Sequence, residues 1–260
     1  MAGHSIASRI KFDSAHGTRK IGLLVLATDL TSERDFRRLI PPDFASIYVA
    51  RVPYENPTTP ASLRRLLPEL KRGAELLLPG IDLDVLCFCC TSASVIIGDA
   101  ETASALQQGK PGTPVVTPPL AVVAALQSLA ARRISILTPY TEETTAPVAA
   151  YFRSKGYAIA SVTALGLEDD REMARISPQS LAGIAGMSVA EDADALFISC
   201  TALRAAEAAA EIRKIIGKPV ITSNLASAWM SLRHCGFRSV EVGSGRLTAE
   251  FGLPFEGAPE

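Results

Sequence analysis

The sequence predicts an α/β protein made of two similar three-layer α/β/α domains. Their mostly parallel sheets are expected to be related by a pseudo-two-fold, with the active site between them. Three observations predict this. Short apolar strands alternate with helical segments along the whole chain. Two of those strands, DVLCFCC and DALFISC, start at an aspartate and run into the same pair, Cys90–Thr91 and Cys200–Thr201. Each pair is then followed by a Gly-Lys-Pro run, at Gly109 and Gly217, which start 19 and 17 residues beyond their cysteines. Two related domains facing one another account for this echo more economically than one larger sheet.

The elements follow in order. Residues 1–18 read as a flexible N-terminal tail. Ile21–Ala27 is the first strand and Ala45–Val52 the second. Thr59–Leu77 has helical content, and Pro60 suits a first turn, where a missing N–H costs nothing. Asp84–Cys90 is nearly all apolar, as a strand buried on both faces should be. A helix or pair of helices runs from Ser92 to Gly109, then a short strand at Val115–Val116 and a helix from Pro118. The second half repeats the scheme. It has strands at 132–139, 157–165, 194–200 and 218–223, and helices at 145–156, 202–215 and 224–236. Helical material at 171–189 is interrupted near Pro178, and Gly156 stops its helix. The first domain is expected to take residues 19–117 and 226–260, and the second residues 118–225.

Bulk properties narrow the function. The chain has 260 residues, 48% of them hydrophobic, enough for a sizeable core. A formal net charge of −1 argues against nucleic acid as a partner. No stretch reaches the roughly 18 apolar residues of a membrane span, and residues 1–20 lack a secretory h-region. Five cysteines, an odd number, do not suggest a disulfide framework. A cytoplasmic protein with reduced thiols is the expectation.

Cys90 and Cys200 both fall at the carboxyl ends of strands, where open α/β sheets bind ligands. Thr91, Ser92 and Thr201 are positioned to cap the following helices. Free N–H groups at a helix start can hold a carboxylate, and the same setting lowers a cysteine pKa. Two thiols across one bound molecule suit two chemistries. One thiolate removes a proton beside a carboxylate while the other thiol returns one to the opposite face, giving a racemase. Alternatively, a thiolate adds to an electron-poor double bond while the other thiol manages the proton, giving a cis–trans isomerase. Neither needs a cofactor. The competing reading takes both cysteines as small buried hydrophobes, but the duplication argues against it. By alternation Cys87 and Cys89 share the face opposite Cys90 and belong to the core; Cys235 is read as structural too. Metal is not expected, because Cys87, Cys89 and Cys90 are too closely spaced for zinc and there are only three histidines. No phosphate-binding glycine motif is complete; Gly243–Ser244–Gly245 lacks a third glycine and a following helix.

Several pieces carry a family resemblance: IGLLVLATDLTSE at 21–33, CCTSASVIIGD at 89–99, GTPVVTPPLAVVAAL at 112–126, LTPY at 137–140, LGLEDDREMARI at 165–176 and SCTALRAAE at 199–207. Over about residues 19–250 the chain resembles the aspartate/glutamate racemase superfamily, in the branch of maleate cis–trans isomerase and arylmalonate decarboxylase. Within that branch it most resembles the ectoine-utilisation group. The resemblance implies that Cys90 is the nucleophilic cysteine, Cys200 the second acid/base cysteine, and Tyr140 a carboxylate-reaching tyrosine. The bland alternative for Tyr140 is a loop aromatic with one wet edge. Decarboxylases of the branch typically keep only the second cysteine, so retention of both points to an isomerase or racemase. Two positions depart from the isomerase pattern. Asp29, and Asp170 or its neighbour Asp169, stand where asparagines hold the substrate carboxylate. An aspartate there would repel a dicarboxylate, which favours an amine- or hydroxyl-bearing carboxylate, such as an intermediate of ectoine catabolism.

The expectation is therefore a cofactor-independent two-cysteine racemase or isomerase, with Cys90 and Cys200 catalytic. Asp29, Thr91, Ser92, Tyr140, Asp170 and Thr201 are expected to bind a small carboxylate. Maleate isomerisation and a non-catalytic carboxylate-binding protein are the alternatives. No nucleic acid or membrane partner is expected; a homodimer or homotetramer is, and the Ala-rich helix after Cys200 is expected to pack on the sheet, with a dimer contact as the alternative.

Overall fold

The first strand, β1 (Arg19–Leu26), buries both of its faces. Ile21, Leu23 and Val25 enter one apolar cluster, while Leu24 and Leu26 enter another. A strand covered on both sides must be apolar almost throughout, and its sequence is. In the computed structural model, which describes residue 10, residues 18–238 and residues 249–254, β1 pairs in parallel with β2 (Ala45–Val52) and β3 (Val85–Phe88). The strand β3 pairs in parallel with β4 (Val115–Val116), so the order is β2-β1-β3-β4. In the second half β5 (Arg133–Tyr140) pairs with β6 (Ala158–Leu167) and β7 (Ala195–Ile198), and β7 with β8 (Val220–Thr222). That order, β6-β5-β7-β8, is the first advanced by four strands. The two domains are therefore similar, and every strand pair in them is parallel. Apart from residues 10 and 18, the expected tail lies outside the described residues, as does Gly243–Ser244–Gly245.

The helices connect these strands. The first, α1 (Ser32–Leu39), was not expected from the sequence. Five of its eight residues are charged, yet it buries Ser32, Asp35, Phe36 and Leu39 and carries an i,i+4 pair, Glu33–Arg37. The helical stretch 59–77 divides into α2 (Pro60–Arg64) and α3 (Leu67–Glu75). Thr59 and Ser62 form a capping box at the start of α2, with Pro60 in its first turn. After β3 come α4 (Thr91–Ile97) and α5 (Asp99–Gly109). Gly109 is required by a close approach: a Cβ there would lie 2.4 Å from the Lys71 carbonyl oxygen.

Next, α6 (Pro118–Ser128) leads into the second sheet. There α7 (Glu142–Ser154) starts three residues before the expected Thr145, placing Pro147 inside it. It stops before Gly156, whose φ of +89° costs glycine no Cβ clash. Further along are α8 (Asp170–Met173), α9 (Pro178–Ser188), α10 (Ala205–Ile216) and α11 (Ser223–His234). The helix α6 packs along β8, while α11 packs along β3, β4 and α6. The helix that leaves each sheet thus lies against the other sheet, tying the two halves together. The segment 249–254 closes over α10 and α11, with Arg213 donating to the Glu250 carbonyl at 2.8 Å and Trp229 to the Pro254 carbonyl at 2.7 Å. Among the described residues no helix is long and apolar enough to cross a membrane.

Candidate active site

The strand β3 ends at Phe88, and Cys90 becomes the N-cap of α4 in ordinary extended backbone, φ −150°. Alternation separates the three neighbouring cysteines as expected. Cys87 and Cys89 sit together in one core cluster, their sulfurs 3.7 Å apart, and Cys90 lies in the other. The Cys90 sulfur is 3.8 Å from the Ser92 hydroxyl and takes a hydrogen bond from the Ala93 N–H.

Cys200 is built differently. It follows β7 at φ +101°, a conformation that residues with a Cβ rarely adopt. Its N–H donates to Ser223 Oγ at 3.1 Å, and its sulfur accepts the Ala202 N–H at 3.3 Å. The next carbonyl, that of Thr201, takes a hydrogen bond from Asn224 Nδ2 at 2.9 Å. The helix α10 begins only at Ala205, so the two Cys-Thr sites share a strand end and not a helix start.

The structure brings both sulfurs to one narrow cavity of about 20 Å³. Of the eight expected site residues, Asp29, Cys90, Ser92, Tyr140, Asp170, Cys200 and Thr201 line it. Thr91 does not: its hydroxyl donates to Ser223 Oγ at 2.7 Å. Nor do Thr91, Ser92 or Thr201 cap a helix as expected, because no side chain caps α4 or α10. The Thr201 hydroxyl instead crosses to the Cys89 carbonyl at 3.0 Å. Each threonine thus links its own half to the other. Tyr140 closes β5 with only 1% of its surface exposed, so it has no wet edge. Its hydroxyl is hydrogen-bonded to both Cys200 and Ser92.

The two aspartates are held from different directions. Asp29 receives the N–H groups of Thr31 and Ser32 at 3.0 and 2.8 Å and the Ser32 hydroxyl at 2.7 Å, and so closes the start of α1. Burial nevertheless raises its pKa, with Ser32, Thr31 and Arg51 opposing. Asp170 accepts from Asn56 Nδ2 at 2.7 Å and from Thr28 Oγ1 at 2.5 Å. Asp169 bonds Asn56 at 2.9 Å and pairs with Arg171, and it does not line the cavity. Among the described residues, no lysine, arginine or histidine lines the cavity, and no three His, Cys, Asp or Glu side chains are grouped to hold a metal ion.

The thiols depart from expectation. Burial pushes both Cys90 and Cys200 up to about 12. The Ala93 N–H and Ser92 oppose this at Cys90, as do Tyr140 and the Ala202 and Leu203 N–H groups at Cys200. A helix start does lower a cysteine pKa, but the cost of burying a thiolate is larger. Asp170 raises both further.

Some residues at this site were not singled out by sequence reasoning. Tyr54, Thr58 and Met173 line the cavity, and Asn56, Thr28 and Ser223 hold its lining. The Asn-Pro turn after β2 carried one usable signal, since ligands bind beyond strand ends.

Comparison with known proteins shows the family and the fold. The family described as arylmalonate decarboxylase matches residues 77–248. A maleate isomerase from Pseudomonas putida is 32% identical over 174 residues, covering 64% of this chain and 69% of that protein. Among solved structures, a cysteine-to-alanine mutant of the maleate isomerase Iso of Pseudomonas putida S16, crystallised with maleate, superposes with a TM-score of 0.79 at 23% identity. That match covers 90% of this chain and 98% of the other. A Nocardia farcinica maleate cis-trans isomerase mutant with a covalently bound succinylcysteine intermediate gives a TM-score of 0.79 at 24% identity, covering 90% and 99%. Both cysteines fall inside the matched span, and the chain belongs to the arylmalonate decarboxylase family, with maleate isomerases among its relatives.

Proposed function

We propose that the protein is a cofactor-independent isomerase or racemase that uses Cys90 and Cys200 as an acid/base pair on one small carboxylate. The observation that carries this reading is the joint presence of Cys90, Cys200 and Tyr140 at a single cavity. The isomerase activity of its relatives supports the reaction type. In a racemisation, one thiolate takes the α-proton and becomes a thiol. The electron pair spreads into the carboxylate, and the other thiol protonates the opposite face and becomes a thiolate. In a geometric isomerisation, a thiolate forms a C–S bond to one alkene carbon while the other thiol protonates its neighbour. Rotation follows, the proton returns, and the C–S bond breaks. Tyr140 and the N–H groups after each cysteine are the donors available for developing charge.

The substrate in this reading carries less negative charge than maleate. Among the described residues two carboxylates line the cavity and no cationic side chain does, so a dicarboxylate would meet repulsion at both. An amine- or hydroxyl-bearing carboxylate suits Asp29 and Asp170. We assign an intermediate of ectoine catabolism, on the likeness of the sequence pieces quoted above. Maleate isomerisation is the second reading, favoured by the names of the relatives.

The test is proton NMR in D₂O with purified protein and short carboxylates, including diaminobutyrates and their acetyl derivatives, aspartate, hydroxyaspartate and maleate. Deuterium entering an α-carbon, with inversion lost in C90S and C200S, supports the racemase. Maleate conversion matching or exceeding every other substrate overturns the charge argument. No conversion of any of them by folded protein removes the catalytic reading in favour of a binding protein.

A further inference from the structure

Two consecutive residues of α11 grip the turn that carries Cys200. Ser223 Oγ takes the Cys200 N–H at 3.1 Å, and Asn224 Nδ2 donates to the Thr201 carbonyl at 2.9 Å. The turn is thus fixed at its first N–H and its last C=O. Between them Cys200 sits at φ +101°, which is unfavourable for any residue with a Cβ. Cys90 needs no such support. Its backbone is extended, and its N–H bonds back to Phe88 at 3.0 Å. The grip is itself anchored on both sides. Ser223 also accepts the Thr91 hydroxyl at 2.7 Å, and Asn224 donates to Asp35 Oδ2 at 2.8 Å.

We propose that Ser223 and Asn224 are positioning residues that hold Cys200 in its strained conformation and so keep its sulfur at the cavity, against the N–H of Ala202. Strained backbone persists only where its surroundings over-determine it, and it concentrates at functional sites. Without the grip the turn relaxes to negative φ and the sulfur leaves the Ala202 N–H, 3.3 Å away. That N–H and the one at Leu203 favour the thiolate, so the released sulfur is the weaker nucleophile. The inference needs two thiols at one cavity and does not depend on the reaction assigned above, so the two can fail separately.

The test compares S223T and S223V in the full chain. The two side chains have nearly the same shape and differ in the hydroxyl. Each protein is alkylated with iodoacetamide from about pH 7 to about pH 10, and Cys90 and Cys200 are followed separately by peptide mass spectrometry. Cys200 in S223T is expected to react as in the wild type. In S223V its rate falls at least about threefold at each pH, equal to a rise of about half a pKa unit, while Cys90 changes less. N224A is expected to act on Cys200 in the same direction. D35N keeps an oxygen facing Asn224 and is expected to leave Cys200 unchanged. A Cys200 rate in S223V that matches or exceeds that of S223T overturns the proposal. So does an equal fall at Cys90, which reports general loosening.

Discussion

Asn56 and Asp170 clasp one another across the two domains. Asn56 Nδ2 donates to the Asp170 carboxylate at 2.7 Å, and the Asp170 N–H donates to Asn56 Oδ1 at 3.2 Å. Beside this pair the Thr58 N–H donates to the Glu168 carbonyl at 2.7 Å, and Thr144 donates to the Thr58 carbonyl at 3.0 Å. The loop after β2 therefore fixes the acidic corner of the cavity from the opposite half.

Substituting this corner should move substrate preference. D170N keeps a side chain of the same shape and removes a negative charge from the lining. Turnover or binding of maleate, relative to an amino-bearing carboxylate, is expected to rise about tenfold, the equivalent of about 1.4 kcal/mol. The comparison is kcat/KM for both compounds in wild type and variant. An unchanged ratio removes Asp170 as a determinant of substrate charge.

The raised thiols predict a steep pH dependence. Both are pushed up to about 12, so below that value the thiolate fraction grows about tenfold per pH unit. A reaction begun by either thiolate should follow with a slope near one in log kcat/KM from about pH 6 to about pH 8. A plateau already reached near neutral pH would mean that substrate or an open form lowers one thiol.

Asp35 makes a separate prediction about stability. Burial raises it to about 6, against the Asn224 hydrogen bond and nearby Arg38 and Arg34, with Glu207 adding to the rise. Its Oδ1 atom is buried without a hydrogen-bond partner. A folded-state pKa above the unfolded value means that Asp35 contributes stability below about pH 4, and that this is lost as pH rises through about 6. The loss is on the order of 2–3 kcal/mol. Denaturant melts at several pH values should show D35N gaining on the wild type between about pH 4 and about pH 7. Parallel curves would contradict the raised pKa.

The positive φ of Cys200 distinguishes glycine from alanine. Both substitutions remove the thiol, but only glycine relaxes at +101°. C200G is expected to be more stable than C200A by about 1 kcal/mol, since strain relief exceeds the entropy glycine loses on folding. Equal stabilities, by chemical denaturation, would mean that the turn relaxes in both.

Gly109 should resist even the smallest addition. Its Cβ would meet the Lys71 carbonyl at 2.4 Å and the Ala74 Cβ at 2.7 Å, both in α3, the helix against which α5 packs. G109A is expected to cost about 1–3 kcal/mol, despite the better helix propensity of alanine. A thermal midpoint at or above that of wild type would indicate that α3 and α5 separate readily.

Much of the fold was legible because the buried strands state their environment locally. Runs such as Ile21–Leu26 and Ala195–Ile198 are apolar on both faces, and only a doubly covered sheet accommodates that. The helix α1 was not legible. It is short and mostly charged, and its stability comes from packing and from Asp29 at its start.

The sequence by itself determined the alternation of strands and helices, the duplication and the placing of a cysteine beyond the end of β3 and of β7. Those properties follow from local patterning and from spacing along one chain. The tertiary structure alone decided which groups meet at those cysteines. Asn56 reaches Asp170 across 114 residues and Thr91 reaches Ser223 across 132, and no local pattern records such a contact. It also decided the state of the thiols. A helix start favours thiolate, but burial withdraws both sulfurs from water, and desolvation outweighs the few N–H groups that point at them.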